Sequence, residues 1–319
     1  MPRDLAPVAV YTYSRVHHLK STISALQQNY LAPQTVLYVV SDAPKTPDHK
    51  PMVDSVRNYL DSITGFREVV RIYREKNLGT PISIHQAEEQ IVNDHGTVIS
   101  MEDDNISSRN YLDFLNGGLA AYWDDPTVFS VCGYCPPINV PADFPAEYWF
   151  YNWNLSWGYA MWKHKYDKVY PLVNQMDEFR REGLLRKVRA SGGLYITDSL
   201  MRDYKKKRMF IDAVLCTKMT RWGLCSVIPT ISKIRNIGSD GSGVSGSRLT
   251  AKHDVKLDDR QVTDFAFSGK PEMNERLVAE AIGFYNSGIL TRLSRRLGIY
   301  HELSAFKYWL ADRMNGGRN

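Results

Sequence analysis

Apolar residues in the N-terminal half of this chain fall into two patterns that take turns. Short continuous runs occupy Pro7–Tyr13 (PVAVYTY), Thr35–Ser41 (TVLYVVS), Glu68–Arg74 (EVVRIYR), Thr97–Asp103 (TVISMED) and Thr127–Tyr134 (TVFSVCGY). They are rich in β-branched and aromatic residues and too short for helices, so each is expected to be a strand, the first of them buried. Between them apolar positions recur every three or four residues: Leu19, Ile23 and Leu26; Val53, Val56, Leu60 and Ile63; Ile84, Ala87 and Ile91 within Pro81–Asp94; then Tyr111, Leu112, Leu115, Leu119 and Tyr122. That spacing puts each set on one face of a helix.

Alternation of strand and helix with short connections predicts an α/β fold, a Rossmann-like and mostly parallel sheet with helices on both faces. Such sheets bind ligands beyond the carboxyl ends of their strands. The polar punctuation falls at those ends: Ser14-Arg15, Ser41-Asp42, Lys76-Asn77 and Glu102-Asp103-Asp104. One site assembled from four loops is the expectation, with the acidic triplet facing solvent.

The texture changes after Pro136, where prolines and aromatics surround EYWFYNWNLSWGYAMW. Trp149, Tyr151, Trp153, Trp157, Tyr159 and Trp162 could stack on sugar rings, but core packing is the better reading for most of them. A charged, helical region over Asp177–Arg189 follows, then a β-like run, CSVIPTISKI, and the glycine-serine stretch Gly238–Ser247. By composition that stretch is a linker or a loop that orders over a ligand. The tail carries Leu290, Leu293, Leu297 and Tyr300 on one helical face with basic residues beside them. It is expected either to touch a membrane surface peripherally or to pack on the rest of the protein.

Composition narrows the classes. The 319 residues are 43% hydrophobic and 24% charged, ordinary for a protein with a large core, and the net charge of +5 is too modest for a dedicated nucleic-acid binder. The N-terminal stretch lacks a secretory apolar segment, and no window reaches the roughly 18 apolar residues of a membrane span, so a cytoplasmic protein is expected. Cys132 and Cys135 have C-x-x-C spacing, but Cys216 and Cys225 make a poor second pair for zinc; reduced, buried thiols are expected.

Three adjacent carboxylates need a cation, either a metal ion or a basic side chain. A strand ending in such a triplet suits Mn²⁺ or Mg²⁺ held against a diphosphate, because these hard cations prefer carboxylate and phosphate oxygens. Carboxylates that simply complement the dipole of the next helix are the bland alternative.

Six segments, PVAVYTYSRVHHLKSTISAL, LYVVSDAPK, REKNLG, VISMEDDN, SWGYAMWK and IPTISKIRNIGSDGSGVSG, together resemble GT-A glycosyltransferases in order and spacing. The likeness runs from Pro7 to Ser247. It is greatest to bacterial family-two-type sugar transferases and the inverting N-acetylglucosaminyltransferase I group. The resemblance implies a GT-A catalytic domain over residues 1–250 with a helical appendage over 251–319. It implies a UDP-sugar donor, with N-acetylglucosamine as the sugar, and a glycan or lipid-linked saccharide acceptor of polysaccharide biosynthesis. Carried over by residue, it makes Asp104 the metal ligand. Glu102 and Asp103 would face the donor sugar and ribose, Tyr11 and Arg15 would line the nucleotide, and Asp42 would read the uracil edge. Asn77 and Gly79 would lie near the donor, Trp157 would border donor and acceptor, and Gly238–Ser247 would close over the donor. Asp212 would be the general base of an inverting transfer, with Asp198 as the alternative. A sugar-nucleotide nucleotidyltransferase and a non-catalytic carbohydrate-binding protein are the competing readings. The first normally carries a glycine-rich loop after its first strand, and YTYSRVHHL has no glycine.

Overall fold

Val8–Thr12 forms β1, and all five of its residues are buried, as a strand flanked on both sides and covered on both faces must be. The computed structural model describes residues 4–172, 175–192, 194–205, 211–240, 242, 252–285 and 297. After β1 come α1 (Val16–Gln27), β2 (Val36–Ser41), α2 (Lys50–Leu60), β3 (Glu68–Tyr73), α3 (Thr80–His95) and β4 (Thr97–Glu102). The chain continues through β5 (Asn105–Ser107), α4 (Tyr111–Ala121), β6 (Val128–Cys132), β7 (Tyr148–Tyr151) and β8 (Tyr159–Trp162). Helices α5 (Lys163–Val169), α6 (Met176–Arg181), α7 (Leu184–Gly192), α8 (Leu194–Lys205) and α9 (Ile211–Trp222) precede β9 (Cys225–Pro229), β10 (Ile234–Asn236) and α10 (Glu275–Tyr285).

Among the described residues the main sheet runs β3-β2-β1-β4-β8-β6-β9-β7. Pairings β1–β2, β2–β3, β1–β4 and β6–β9 are parallel; β4–β8, β6–β8 and β7–β9 are antiparallel. The fold is therefore α/β with a mixed, mostly parallel sheet. Helices lie on both faces, as side-chain alternation demonstrates. Ser100 points from β4 to Glu88 of α3, whereas on the other face Thr12 bonds Asp103, whose carbonyl accepts from Thr22 of α1. The sequence of strands reverses direction at β1, with β2 on one side and β4 on the other, and this switch point opens a crevice at their carboxyl ends.

The aromatic block supplies two strands of this sheet, β7 and β8, which its composition did not suggest. Trp149, Tyr151, Trp153 and Trp162 are buried, as core packing requires. A separate two-stranded ribbon joins β5 to β10, pairing Asn236 with Asn105. Residues 254–274 have no regular structure, yet they are stapled to the body. Asp258 pairs with Lys233 and Arg260, and Phe265 packs edge-on against Phe114. The appendage expected after residue 250 thus enters the same core through Phe265, Leu277 and Ala281. The amphipathic pattern from Leu290 onward lies outside the described residues, Leu297 excepted. All four cysteines are free and buried, and burial pushes the Cys132 thiol up to about 11. No described helix is long and apolar enough to cross a membrane.

Candidate functional site

Tyr11 and Glu102 stand opposite each other in the β1–β4 register, so the acidic triplet emerges at the crevice itself. The cation beside it is Arg15, the N-cap residue of α1. Its Nη2 bridges the carboxylates of Asp103 and Asp104, the latter at 2.7 Å. Burial works against the Arg15 charge, but the two aspartates outweigh it and hold the guanidinium more firmly protonated than usual. Burial also pushes Asp103 above its ordinary range even with Arg15 against it, because one guanidinium shared by two carboxylates cannot neutralise both. Thr12 fixes the other Asp103 oxygen at 2.9 Å.

Asp104 is 6% exposed, so the solvent-facing triplet expected from the sequence is not what forms. The cover comes from the β5–β10 ribbon. Asn236 Nδ2 donates to Asp104 Oδ1 at 2.7 Å and to Asn105 Oδ1 at 3.0 Å, while the Ile237 amide donates to the Asp104 carbonyl at 2.8 Å. Gly238 then passes so close that a β-carbon there would collide with the Asp104 carboxylate. His18 of α1 meets Asp240 at 3.2 Å and holds the start of the glycine-serine stretch against the same helix. Residues 243–247 of that stretch lie outside the described residues.

Glu102 belongs to the opposite face of β4. Burial pushes its carboxyl up to about 8, helped by Asp104, Asp212 and Asp103 and opposed only by Arg15. The charge of Asp212 is felt at Glu102, although 108 residues of chain separate Asp212 from Asp104. It sits in the first turn of α9, where Ser156 Oγ donates to Oδ1 at 2.6 Å, and burial raises its pKa against that hydrogen bond. Asp198 lies on α8. Trp157 is half-buried, edge-on to Tyr134 at 4.8 Å and to His253 at 5.6 Å.

Asp42 carries a different load from the base-reading one expected of it. Its two carboxylate oxygens accept from the amides of Ala43, Leu78 and Gly79 and from Asn77 Nδ2, at 2.9–3.2 Å. Those four bonds fill its acceptor capacity and tie the β2 loop to the loop before α3. Gly79, with φ +75°, caps that helix, and Asn77 reaches on to the Ala43 carbonyl. Tyr11 is buried, its hydroxyl 3.4 Å from Ser100 Oγ. Ser100 also bonds Glu88, which is 1% exposed and accepts from Tyr159 at 2.6 Å as well. Tyr11 thus stands beside Glu102 on the sheet face that carries Ser100.

The structure brings Arg15, Asp103 and Asp104 into contact, with Glu102 in register beside Tyr11; Asp42, Asn77 and Gly79 are bonded to one another in the loops after β2 and before α3, and Trp157 follows Ser156, which holds Asp212. Ser156 and Asn236 were not singled out from sequence, although both lie within the quoted SWGYAMWK and IPTISKIRNIGSDGSGVSG segments. Among the described residues no three His, Cys, Asp or Glu side chains converge as a ready metal cage. The donor set instead fits a hard cation held by one or two carboxylates, with diphosphate and water completing its coordination.

No protein-family model matches the chain, and no curated protein matches it by sequence. Among solved structures it is similar to a mannosyltransferase, PcManGT from Pyrobaculum calidifontis in complex with GDP-Man and Mn²⁺, at 14% identity and TM-score 0.44. The match covers 73% of this chain and 60% of that one. It is also similar to S. aureus TarS residues 1–349, at 13% identity and TM-score 0.39, over 72% of this chain and 59% of that one. Likenesses this loose assign no function.

Proposed function

We propose that this protein is an inverting GT-A glycosyltransferase that moves a sugar from a nucleotide-sugar donor, a UDP-sugar such as UDP-N-acetylglucosamine, to a hydroxyl of a glycan or lipid-linked saccharide. The observation that carries this reading is the meeting of two differently prepared carboxylate groups at one crevice. On one side stands a triplet with an arginine at a helix N-terminus. On the other stands a single half-buried aspartate on α9, held by one serine hydroxyl.

The first group suits a diphosphate. The N-terminus of α1 points at the crevice with no acidic residue in its first turn and no side-chain cap, a combination that favours an anion. Arg15 supplies the charge for that anion. Asp104, with Glu102 beside it, would hold Mn²⁺ or Mg²⁺, which offsets the charge that builds on the leaving diphosphate. The second group suits a base. As the acceptor oxygen bonds to C1 of the sugar, its proton passes to Asp212. The C1–O bond to the β-phosphate breaks from the opposite face, and the diphosphate leaves with the electron pair. Desolvation raises the Asp212 pKa, which strengthens it as a base, while Ser156 fixes which oxygen faces the acceptor.

The test is release of nucleoside diphosphate from a panel of nucleotide sugars in the presence of Mn²⁺ and a saccharide acceptor. Turnover with an inverted anomeric product supports the reading. Retention of configuration, or release of pyrophosphate from a nucleoside triphosphate and sugar phosphate, refutes it.

A further inference from the structure

Arg15 contacts both aspartates through one nitrogen, Nη2, and this use of a guanidinium is incomplete. The group is a planar fork made for paired contacts, and a carboxylate or phosphate that offers two oxygens in its plane is gripped more strongly than one shared sideways. Its side chain is 18% exposed, its Nη1 lies beside Gly238, and its backbone caps the helix end that attracts anions. Meanwhile both Asp104 oxygens are engaged, Oδ2 by the Arg15 charge and Oδ1 by Asn236.

We propose that Arg15 is the site's built-in counter-ion, occupying Asp103 and Asp104 until a nucleoside diphosphate draws the guanidinium away and frees Asp104 Oδ2 for a divalent cation. The claim rests on the nucleotide-sugar reading above and adds an order of events to it. Without nucleotide, a cation must compete with a positive charge already seated on its ligand. With nucleotide, the arginine gains a doubly charged partner and the carboxylate becomes available. Asn236 stays on Oδ1 throughout and keeps the carboxylate aimed, so the exchange needs only a side-chain swing. Because linkage is reciprocal, the cation must tighten the nucleoside diphosphate by the factor with which the nucleotide tightens the cation.

Electron paramagnetic resonance of free Mn²⁺, titrated with full-length protein, measures the exchange without any sugar transfer. In the wild type, UDP or GDP should tighten Mn²⁺ by about tenfold or more, a typical coupling between sites. Arg15→Gln should bind Mn²⁺ alone about tenfold more tightly than the wild type, and nucleotide should tighten it by a smaller factor than in the wild type, the remainder being the cation's own contact with the diphosphate. Melting followed by circular dichroism checks that the variant is folded; if it is not, Arg15→Met takes its place in the same titration. Equal Mn²⁺ affinity with and without nucleotide in the wild type overturns the proposal. So does a folded Arg15→Gln variant that binds Mn²⁺ no better, or no Mn²⁺ binding under any condition. Coupling without sugar transfer to any acceptor would refute the glycosyltransferase reading and leave the exchange standing.

Discussion

Two clusters of buried charge lie in this molecule, and they are balanced in opposite ways. At the strap over β10, Lys233 and Arg260 face Asp258 and Glu147, one cation to each carboxylate, with Asn110 adding a hydrogen bond at 3.2 Å. The Lys233 ammonium also lies 4.7 Å from the Phe265 ring centre and 5.4 Å from that of Phe114. Burial pushes Asp258 up, but Arg260 and Lys233 outweigh it and hold the carboxyl below the usual range. At the crevice, Asp103 and Asp104 share the guanidinium of Arg15, and Glu102 beside them rises to about 8. A cluster that only holds the fold together satisfies itself. One left with surplus carboxylates is set up to meet a further cation, at the cost of stability.

The comparison breaks most visibly at Asp212. Asp212→Asn should lower turnover by about 10²–10⁴, the usual contribution of a general base, and leave nucleotide affinity unchanged. Steady-state kinetics beside nucleotide titration checks this, and near-normal turnover would pass the role to Asp198. At the balanced cluster, Asp258→Ala strands the Lys233 charge and should cost about 3–5 kcal/mol in urea unfolding. A loss under about 1 kcal/mol would mean the pair behaves like a surface one.

Ser156→Ala removes a hydrogen bond to a charged group, worth roughly 1.5–3 kcal/mol, so turnover should fall about tenfold or more. Ser156 also lowers the Asp212 pKa, so the acid limb of the pH–rate profile should move to higher pH in this variant. A turnover loss with an unmoved limb would make the serine merely structural.

The pH-dependent effect is at Glu102. Its folded pKa of about 8 lies above the ordinary 4.5, so its contribution to stability is full below pH 4.5 and is lost as pH rises through 8. Glu102→Gln should therefore melt higher than the wild type at pH 8, and the gap should close towards pH 5. A gap that is constant across that range would show that Glu102 does not titrate in it.

The N-terminal half was largely legible from sequence because β1, β2 and β4 are buried and read as unbroken β-branched, apolar runs, while β3, at the sheet edge, is half-exposed. The expected Pro7–Tyr13 became Val8–Thr12, and Thr35–Ser41 became Val36–Ser41. The polar residues at their ends were found for the same reason: a parallel sheet leaves them nowhere else to go. The strands β7 and β8 were hidden, since Tyr148–Tyr151 and Tyr159–Trp162 are four residues long and hold none of the β-branched residues that mark β1, β2 and β4. Asn236 was hidden differently. Its contact with Asp104 spans 132 residues and depends on the β5–β10 register, which no local pattern announces. The same ribbon buries the triplet that looked solvent-facing, and the acceptor load on Asp42 likewise comes from a distant loop.

The most direct test of the central claim is nucleotide binding by Asp104→Ala. Calorimetric titration with UDP, with and without Mn²⁺, should show cation-dependent binding in the wild type. The folded variant should have lost that dependence, because Arg15 keeps Asp103 as its partner while the cation loses its carboxylate. Equal UDP affinity with and without Mn²⁺, in wild type and variant alike, would contradict the account.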